Sequence, residues 1–250
     1  VLVFAGVKFM AETAKVLSPD KRVLLPRLDA GCPMADMVVP EELEALMKAH
    51  PGVPVVTYVN SSVEIKALSD VCCTSANAVE VVRHLPGREV IFVPDRNLGR
   101  YVASRLPEKR VILHEGYCYV HNRIRSEDLV AARERHPGAR ILAHPECQPQ
   151  VLELADEICS TSGMIRSVAA SSARTFILAT EEGLLQRIRR ENPGKAIYSA
   201  GPARICANMK RTRLEDVAAA LREDRYVIDV EANMAEAARR ALRRMVSVLA

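Results

Sequence analysis

One cysteine register, repeated three times, constrains this chain more than any other feature. Cys32, Cys118 and Cys206 lie 86 and 88 residues apart. Each is followed, at offsets of 9, 10 and 11 residues, by two acidic residues and an apolar one: Glu41-Glu42-Leu43, Glu127-Asp128-Leu129 and Glu215-Asp216-Val217. Each triplet opens a helical pattern, in EELEALMKAHPG, SEDLVAARERHPG and LEDVAAALRED. The agreement then continues through two copies. HPGVPVVTYVNSS from His50 matches HPGARILAHPECQ from His136, and TSANAVEVV from Thr74 matches TSGMIRSV from Thr161. VIFVPDRNLGRYVASRLP parallels RTFILATEEGLLQRIRREN, and RVILHEGYC parallels KAIYSAGPARIC. Self-similarity at a fixed period marks a repeated structural unit.

Each copy reads as helix, strand, helix, turn, helix, strand, helix, strand and cysteine loop. Apolar, β-branched strands alternating with helices predict parallel βαβ units. The expected fold is α/β: three three-layer αβα domains related by a pseudo-threefold axis around a central site, the first of them incomplete. VLVFAGVKFMAETAKVLSPDKRVLLPRLDAGC matches only the second half of a copy, and the tail from TRLEDV begins a copy after Cys206. The expected domains are therefore residues 1–40 with 207–250, residues 41–126 and residues 127–206. The chain opens at Val1 inside a strand-like run. The expectation is that the first strand and turn of domain one lie outside it. That would leave a sheet edge uncovered and one wall of the site open, giving low activity and aggregation.

Composition narrows the class. Hydrophobic residues make up 49% and charged residues 26%, too apolar for a disordered chain. Lys and Arg number 35 against 31 Asp and Glu, a net +4 with no dominant basic run, which argues against a nucleic-acid coat. Aromatics at 4%, with no Trp, leave no base-stacking platform. No apolar run approaches the ~20 residues that cross a bilayer, and no secretory pattern opens the chain. The seven cysteines, at 32, 72, 73, 118, 147, 159 and 206, form no CxxC pair. A reduced, cytoplasmic setting is expected, with thiols buried or ligating metal.

Three copies about an axis bring Cys32, Cys118 and Cys206 together at the carboxyl edge of the sheets, where α/β folds place ligands. Three convergent thiolates suit a [4Fe–4S] cluster with one open iron, a Lewis acid able to assist loss of water. A Cys₃His zinc site using His121 is the rival reading. Cys72 and Cys73 read as buried structural thiols at a helix end, and Cys159 as their match. Cys147 stands where the other copy has Ser61, outside the ligand register.

Polar pairs mark the strand ends. Tyr58 and Asn60 follow His50 by 8 and 10 residues; His144 and Glu146 follow His136 by 8 and 10. Residues two apart project from one face. His144 and Glu146 are natural acid–base groups and Tyr58 a proton relay, with loop capping as the plain structural alternative. The turns at Thr74–Asn77 and Thr161–Met164 open helices and suit either N-capping or anion binding. No phosphate-cradling glycine motif occurs. His50, His84, His114 and His136 read as surface or capping residues.

Together GVKFMAETAKVL, LDAGCPMADMV, VTYVNSS, TSANAVEVV, PDRNLGRYVA, GYCYVH, HPECQPQV, ADEICSTSGMI, ATEEGLLQR and CANMK resemble quinolinate synthase along essentially the whole chain. The resemblance implies three αβα domains around a [4Fe–4S] cluster held by Cys32, Cys118 and Cys206. It implies condensation of iminoaspartate with dihydroxyacetone phosphate to quinolinate, phosphate and water, for NAD biosynthesis. It assigns substrate contacts to Tyr58, Asn60, Ser75, His144, Glu146 and Thr161, and implies an aspartate oxidase as the supplier of iminoaspartate. The family's front strand, with a His and a Tyr, and a following segment with a substrate-binding Ser have no counterpart in this sequence. The reading from another class is a non-enzymatic Fe–S or zinc protein on the same scaffold.

Overall fold

The computed structural model describes residues 1–248. The chain opens with β1 (Leu2–Val3), α1 (Lys8–Leu17) and β2 (Val23–Leu24), the two strands pairing in parallel. A second group follows: α2 (Pro40–Ala49), β3 (Val55–Tyr58), α3 (Val63–Leu68), β4 (Val71–Cys73), α4 (Ala78–His84), β5 (Glu89–Val93), α5 (Arg96–Arg105) and β6 (Arg110–Leu113). Its four strands form a parallel sheet in the order β4-β3-β5-β6. After the short α6 (Tyr119–Asn122) the pattern recurs as α7 (Ser126–Arg135), β7 (Arg140–Ala143), α8 (Pro149–Leu152), β8 (Glu157–Ile158), α9 (Thr161–Ala170), β9 (Thr175–Ala179), α10 (Glu182–Glu191) and β10 (Ala196–Ser199). This sheet has the equivalent order β8-β7-β9-β10, again all parallel. The tail carries α11 (Leu214–Glu223) and α12 (Ala232–Ser247).

The repeat extends to single bonds. Asp128 and Asp216 each accept the N–H of the residue three earlier, at 3.0 and 2.9 Å, and so cap α7 and α11. His50 and His136 end α2 and α7 with φ/ψ of −131/69 and −132/69. Gly52 and Gly138 then reverse the chain at φ +79 and +77, a backbone region that glycine enters without a Cβ penalty. Their HPG turns lead into β3 and β7, which are buried along nearly their whole length. Continuous apolar burial is what parallel sheets covered on both faces require.

Two features differ from the sequence expectation. First, each four-stranded sheet contains a strand where a turn was expected. Cys72 and Cys73 lie within β4, not at a helix end, and Cys159 directly follows β8. These strands are too short to show periodicity, and an aspartate defines each. Asp70 Oδ2 accepts the Val55 N–H at 2.8 Å while the Asp70 N–H binds the Val55 carbonyl at 3.1 Å. Asp156 makes the same pair with Ile141 at 2.7 and 2.9 Å. Second, the tail pairs with the opening sheet. Leu25 donates to the Tyr226 carbonyl and Ile228 to the Val23 carbonyl, both at 2.9 Å, with an antiparallel bridge between Leu24 and Val227. Residues 225–228 therefore cover the outer edge of β2, a contact that helix and strand patterning does not register. Beyond them α12 packs on α3 and β4, burying Ala238, Ala241 and Leu242 with Val63, Cys72 and Val16 of α1.

Gly99 sets how closely α5 approaches its sheet. A Cβ there would fall 2.4 Å from Leu113 Cδ2 and 3.1 Å from the Phe92 ring. Gly99→Ala is expected to cost about 1–3 kcal/mol through overpacking, read as a lowered thermal midpoint. An unshifted midpoint would mean that Leu113 yields freely.

The buried thiols set a pH dependence. Burial pushes Cys72 and Cys159 up to about 12 and Cys73 well above the ordinary 9.0. Values raised on folding contribute stability that is complete below the unfolded value and is lost as pH rises through the folded one. Lys66 works in the opposite sense. It is buried, its ammonium bonds the Ser61 carbonyl, and burial lowers it from 10.5 to about 8. Folded protein sheds that proton first, so its contribution rises between pH 8 and 10.5. The metal-free chain is expected to lose stability most steeply above pH 10.5, where Lys66 no longer compensates. Denaturant melts from pH 7 to 11.5 measure this. A Cys73→Val, Cys159→Ala double variant should show a flatter decline, and an identical decline would discount the thiols.

Candidate active site

A cavity of about 1180 Å³ opens at the carboxyl ends of β3 and β7. Cys32, Cys118, Cys206, Tyr58, Asn60, Ser75, His144, Glu146 and Thr161 all line it, so every site residue read from the sequence reaches one space. His121, Thr180 and Glu181 line it as well. Apolar side chains, among them Phe4, Phe9, Met10, Leu242 and Met245, form much of the rest of its lining.

Tyr58 ends β3 and is buried, while His144 follows β7 and leads into the turn that carries Glu146. Glu146 is almost fully enclosed, at 3% exposure. Its Oε2 lies 2.7 Å from His121 Nδ1 and 3.9 Å from His144 Nδ1, and the Tyr58 side chain lines the same cavity. The two imidazoles stack with centroids 4.4 Å apart. The partners assign the tautomers. His121 Nδ1 faces a carboxylate and therefore donates, leaving Nε2 to accept from Thr180 Oγ1 at 3.1 Å. His144 Nδ1 accepts the Glu146 N–H at 3.3 Å, which places its proton on Nε2. Asn97, at the start of α5, holds the Glu146 carbonyl at 3.1 Å and so anchors the turn.

The electrostatics follow from burial and this one charge. Burial alone would raise the Glu146 carboxyl, but His144, His121 and the Tyr58 hydroxyl outweigh it and hold the group below the ordinary carboxylate range. Burial, then the neighbouring His121, lowers His144 to about 3, so it is a neutral base at physiological pH. Burial and the Glu146 charge push Tyr58 well above its ordinary value, so it is a hydrogen donor. The same two causes raise Asp95 to about 7. Neutral His144, ionised Glu146 and protonated Tyr58 thus line one cavity, residue types able to exchange protons with a bound molecule.

The three repeated cysteines arrive by one device. Lys8 N donates to the Ala30 carbonyl at 2.9 Å, Arg96 N to Gly116 at 2.8 Å and Glu182 N to Arg204 at 2.9 Å. Each donor is the first residue of α1, α5 or α10, and each acceptor lies two residues before its cysteine. All three thiols are half-buried and none is in a disulfide. Burial, with the Glu146 charge, pushes Cys32 up to about 11 and Cys118 higher still, so a bound cation must displace their protons. Three soft thiol donors from three loops, lining one cavity, fit an iron–sulfur cluster. Cys118, His121 and Glu146 also place one ligand atom each within 4.8 Å of one another, a set able to hold a metal ion.

Ser75 lines the cavity, while the Thr74 N–H and hydroxyl both donate to Asn77 Oδ1 across the turn, at 2.6 and 2.9 Å. Thr161 begins α9, but the capping falls to Ser160, whose Oγ accepts the Gly163 N–H at 3.2 Å. Cys147 is buried away from the cavity wall with its Sγ against the Ala179 carbonyl. Among the residues that sequence reasoning underweighted are Asp95, Asn97, Thr180 and Glu181, which lie just past β5 and β9. Polar groups past the ends of β3 and β7 were the signal used; the same signal at β5 and β9 would have found these four.

Parallel sheets that gather three thiols, two histidines, a glutamate and a tyrosine into one cavity define an α/β enzyme with a thiol-rich central site. The family model described as quinolinate synthetase A protein matches residues 1–247, and the chain belongs to that family. A protein named quinolinate synthase from Geotalea uraniireducens is 54% identical over 248 residues, covering 99% of this chain and 81% of the relative. Proteins of the same name from Thermodesulfovibrio yellowstonii and Methanoregula boonei are 49% and 51% identical, over 100% and 99% of this chain and 82% of each relative. Among the described residues no helix is long and apolar enough to cross a membrane.

Proposed function

We propose that this chain is the quinolinate-forming enzyme of NAD biosynthesis, joining iminoaspartate to dihydroxyacetone phosphate with loss of phosphate and water. One observation carries the reading: the three cysteines picked out by the repeat line the same cavity as Tyr58, His144 and Glu146, in a chain about 50% identical to quinolinate synthases. The domains are residues 1–40 with 207–250, 41–126 and 127–206, set about a pseudo-threefold axis. The matched bonds from α1, α5 and α10 to the three cysteine loops support that arrangement.

Cys32, Cys118 and Cys206 would hold a [4Fe–4S] cluster with one iron free of protein ligands. When bound, the cluster supplies a Lewis acid for a nitrogen or a departing hydroxyl. The side chains do the rest. Asn60, Ser75 and Thr161 offer an amide and two hydroxyls to the substrate carboxylates. His144, held neutral by burial with its proton on Nε2, offers that N–H to the substrate, and Tyr58 offers its O–H beside it. Glu146, 2.7 Å from His121 and 3.9 Å from His144, stabilises positive charge developing on either imidazole. An aspartate oxidase is the reaction class that delivers this substrate, and the cytoplasm is the setting that keeps the thiols reduced.

The test is anaerobic incubation of the iron- and sulfide-reconstituted chain with both substrates, measuring quinolinate. Formation dependent on the cluster and on both substrates is the expected result. Zinc uptake without sulfide, and no quinolinate, would favour the non-enzymatic alternative, a zinc site on the three cysteines and His121.

A further inference from the structure

The residue just before each of α1, α5 and α10 occupies a matching place: Val7, Asp95 and Glu181. At two of the three it is a carboxylate that divides its oxygens in the same way. Asp95 Oδ1 accepts the Leu98 N–H at 2.8 Å and caps α5, while Oδ2 accepts the Cys118 N–H at 3.0 Å. Glu181 Oε2 accepts the Gly183 N–H at 2.7 Å and caps α10, while Oε1 accepts the Cys206 N–H at 3.2 Å. Capping needs only the first bond of each pair. The second reaches 23 and 25 residues along the chain, and in both cases lands on a repeated cysteine. Room is kept for this at α10, because a Cβ on Gly183 would lie 2.7 Å from Glu181 Oε2. Val7 has no oxygen to offer Cys32.

We propose that Asp95 and Glu181 are paired positioning residues that fix the backbone at Cys118 and Cys206, so that these two thiols face the cavity before metal arrives. Cys32, joined to its helix start by a backbone bond alone, is the adaptable third ligand. The inference rests on the reading of the three cysteines as cluster ligands. A carboxylate is needed because it offers an acceptor to each of two N–H donors. Asn or Gln would turn an NH₂ toward one donor and lose that bond.

Two measurements on the whole chain test it. In the metal-free protein, amide exchange at Cys118 and Cys206 should be slower than at Cys32. Asp95→Asn should speed exchange at Cys118 alone, and Glu181→Gln at Cys206 alone. After anaerobic reconstitution, either variant should release iron to a chelator about tenfold faster, the scale on which supporting residues change metal affinity. Asp156→Asn is the structural control. It removes a carboxylate that accepts a strand N–H at 2.7 Å, away from the cysteine loops, and should leave iron release unchanged. Unchanged exchange at both cysteines, or equal acceleration of iron release by Asp156→Asn, would overturn the proposal. Should Asp95→Asn fail to fold, Glu181→Gln, at a half-buried site, decides the matter. A wild-type chain that binds no cluster refutes the cluster reading, whereas the exchange pattern still decides whether the clamps exist.

Discussion

Serine at position 32, 118 or 206 is expected to abolish the broad absorption near ~400 nm of the chain reconstituted without oxygen. A site with three thiolates has no spare ligand, and a serine oxygen is a poor replacement for a soft thiolate. Effects should not be equal in the metal-free protein, where all three variants should remain folded because the thiols are only half-buried. Cys147→Ser separates ligand loss from general damage. Cys147 is fully buried, packed with Ile141, Val151 and Ile177, and its thiol bonds the Ala179 carbonyl. That variant should lose stability by about 1–3 kcal/mol, the cost of an altered buried polar group, yet keep the absorption. Iron and sulfide counts beside the spectra make the comparison quantitative. Retention of the chromophore in Cys118→Ser, with loss in Cys147→Ser, would reverse the ligand assignment.

The cysteine register was legible because it is a long-range repeat, and repeats survive where local propensity is ambiguous. The strand-end residues Tyr58, Asn60, His144 and Glu146 were legible for the same reason: HPG fixes the start of β3 and of β7, and the period of two does the rest. β4 and β8 were not legible. Three residues and two residues carry no pattern, and each strand depends on an aspartate bond to a strand 15 residues away. The antiparallel contact of Tyr226 and Ile228 with β2 is of the same kind, made by backbone groups that composition does not encode. His121 was visible only as a cysteine's neighbour three residues on. Its role comes from Glu146 and Thr180, 25 and 59 residues distant, which fold alone brings together. Asp95 and Glu181 cap their helices through one oxygen each, and the second oxygen meets a cysteine N–H 23 or 25 residues away, a contact only the fold makes.

Glu146→Gln is expected to separate stability from activity in opposite directions. A buried carboxylate is costly to desolvate, and its partners only partly offset that cost. Glutamine has the same shape, can accept from His121 Nδ1–H through its oxygen, and carries no charge to desolvate. If Glu146 served only to cap its turn, the fold would prefer the amide, and quinolinate formation would be indifferent to the change. The geometry argues otherwise. The carboxylate bonds His121 at 2.7 Å and lies 3.9 Å from His144, so its charge is placed to stabilise a proton that arrives on either ring. With the amide in its place an imidazolium at position 121 or 144 loses its counter-charge in a buried setting. The expected result is a thermal midpoint held or raised, an unchanged cluster spectrum, and a rate of quinolinate formation lower by ~10²–10⁴-fold, the range for a positioned acid–base group. The loss should fall on kcat and not on KM, because the missing interaction strengthens only as charge develops. A normal rate with a raised midpoint would assign Glu146 to the turn and return the chemistry to His144 and Tyr58.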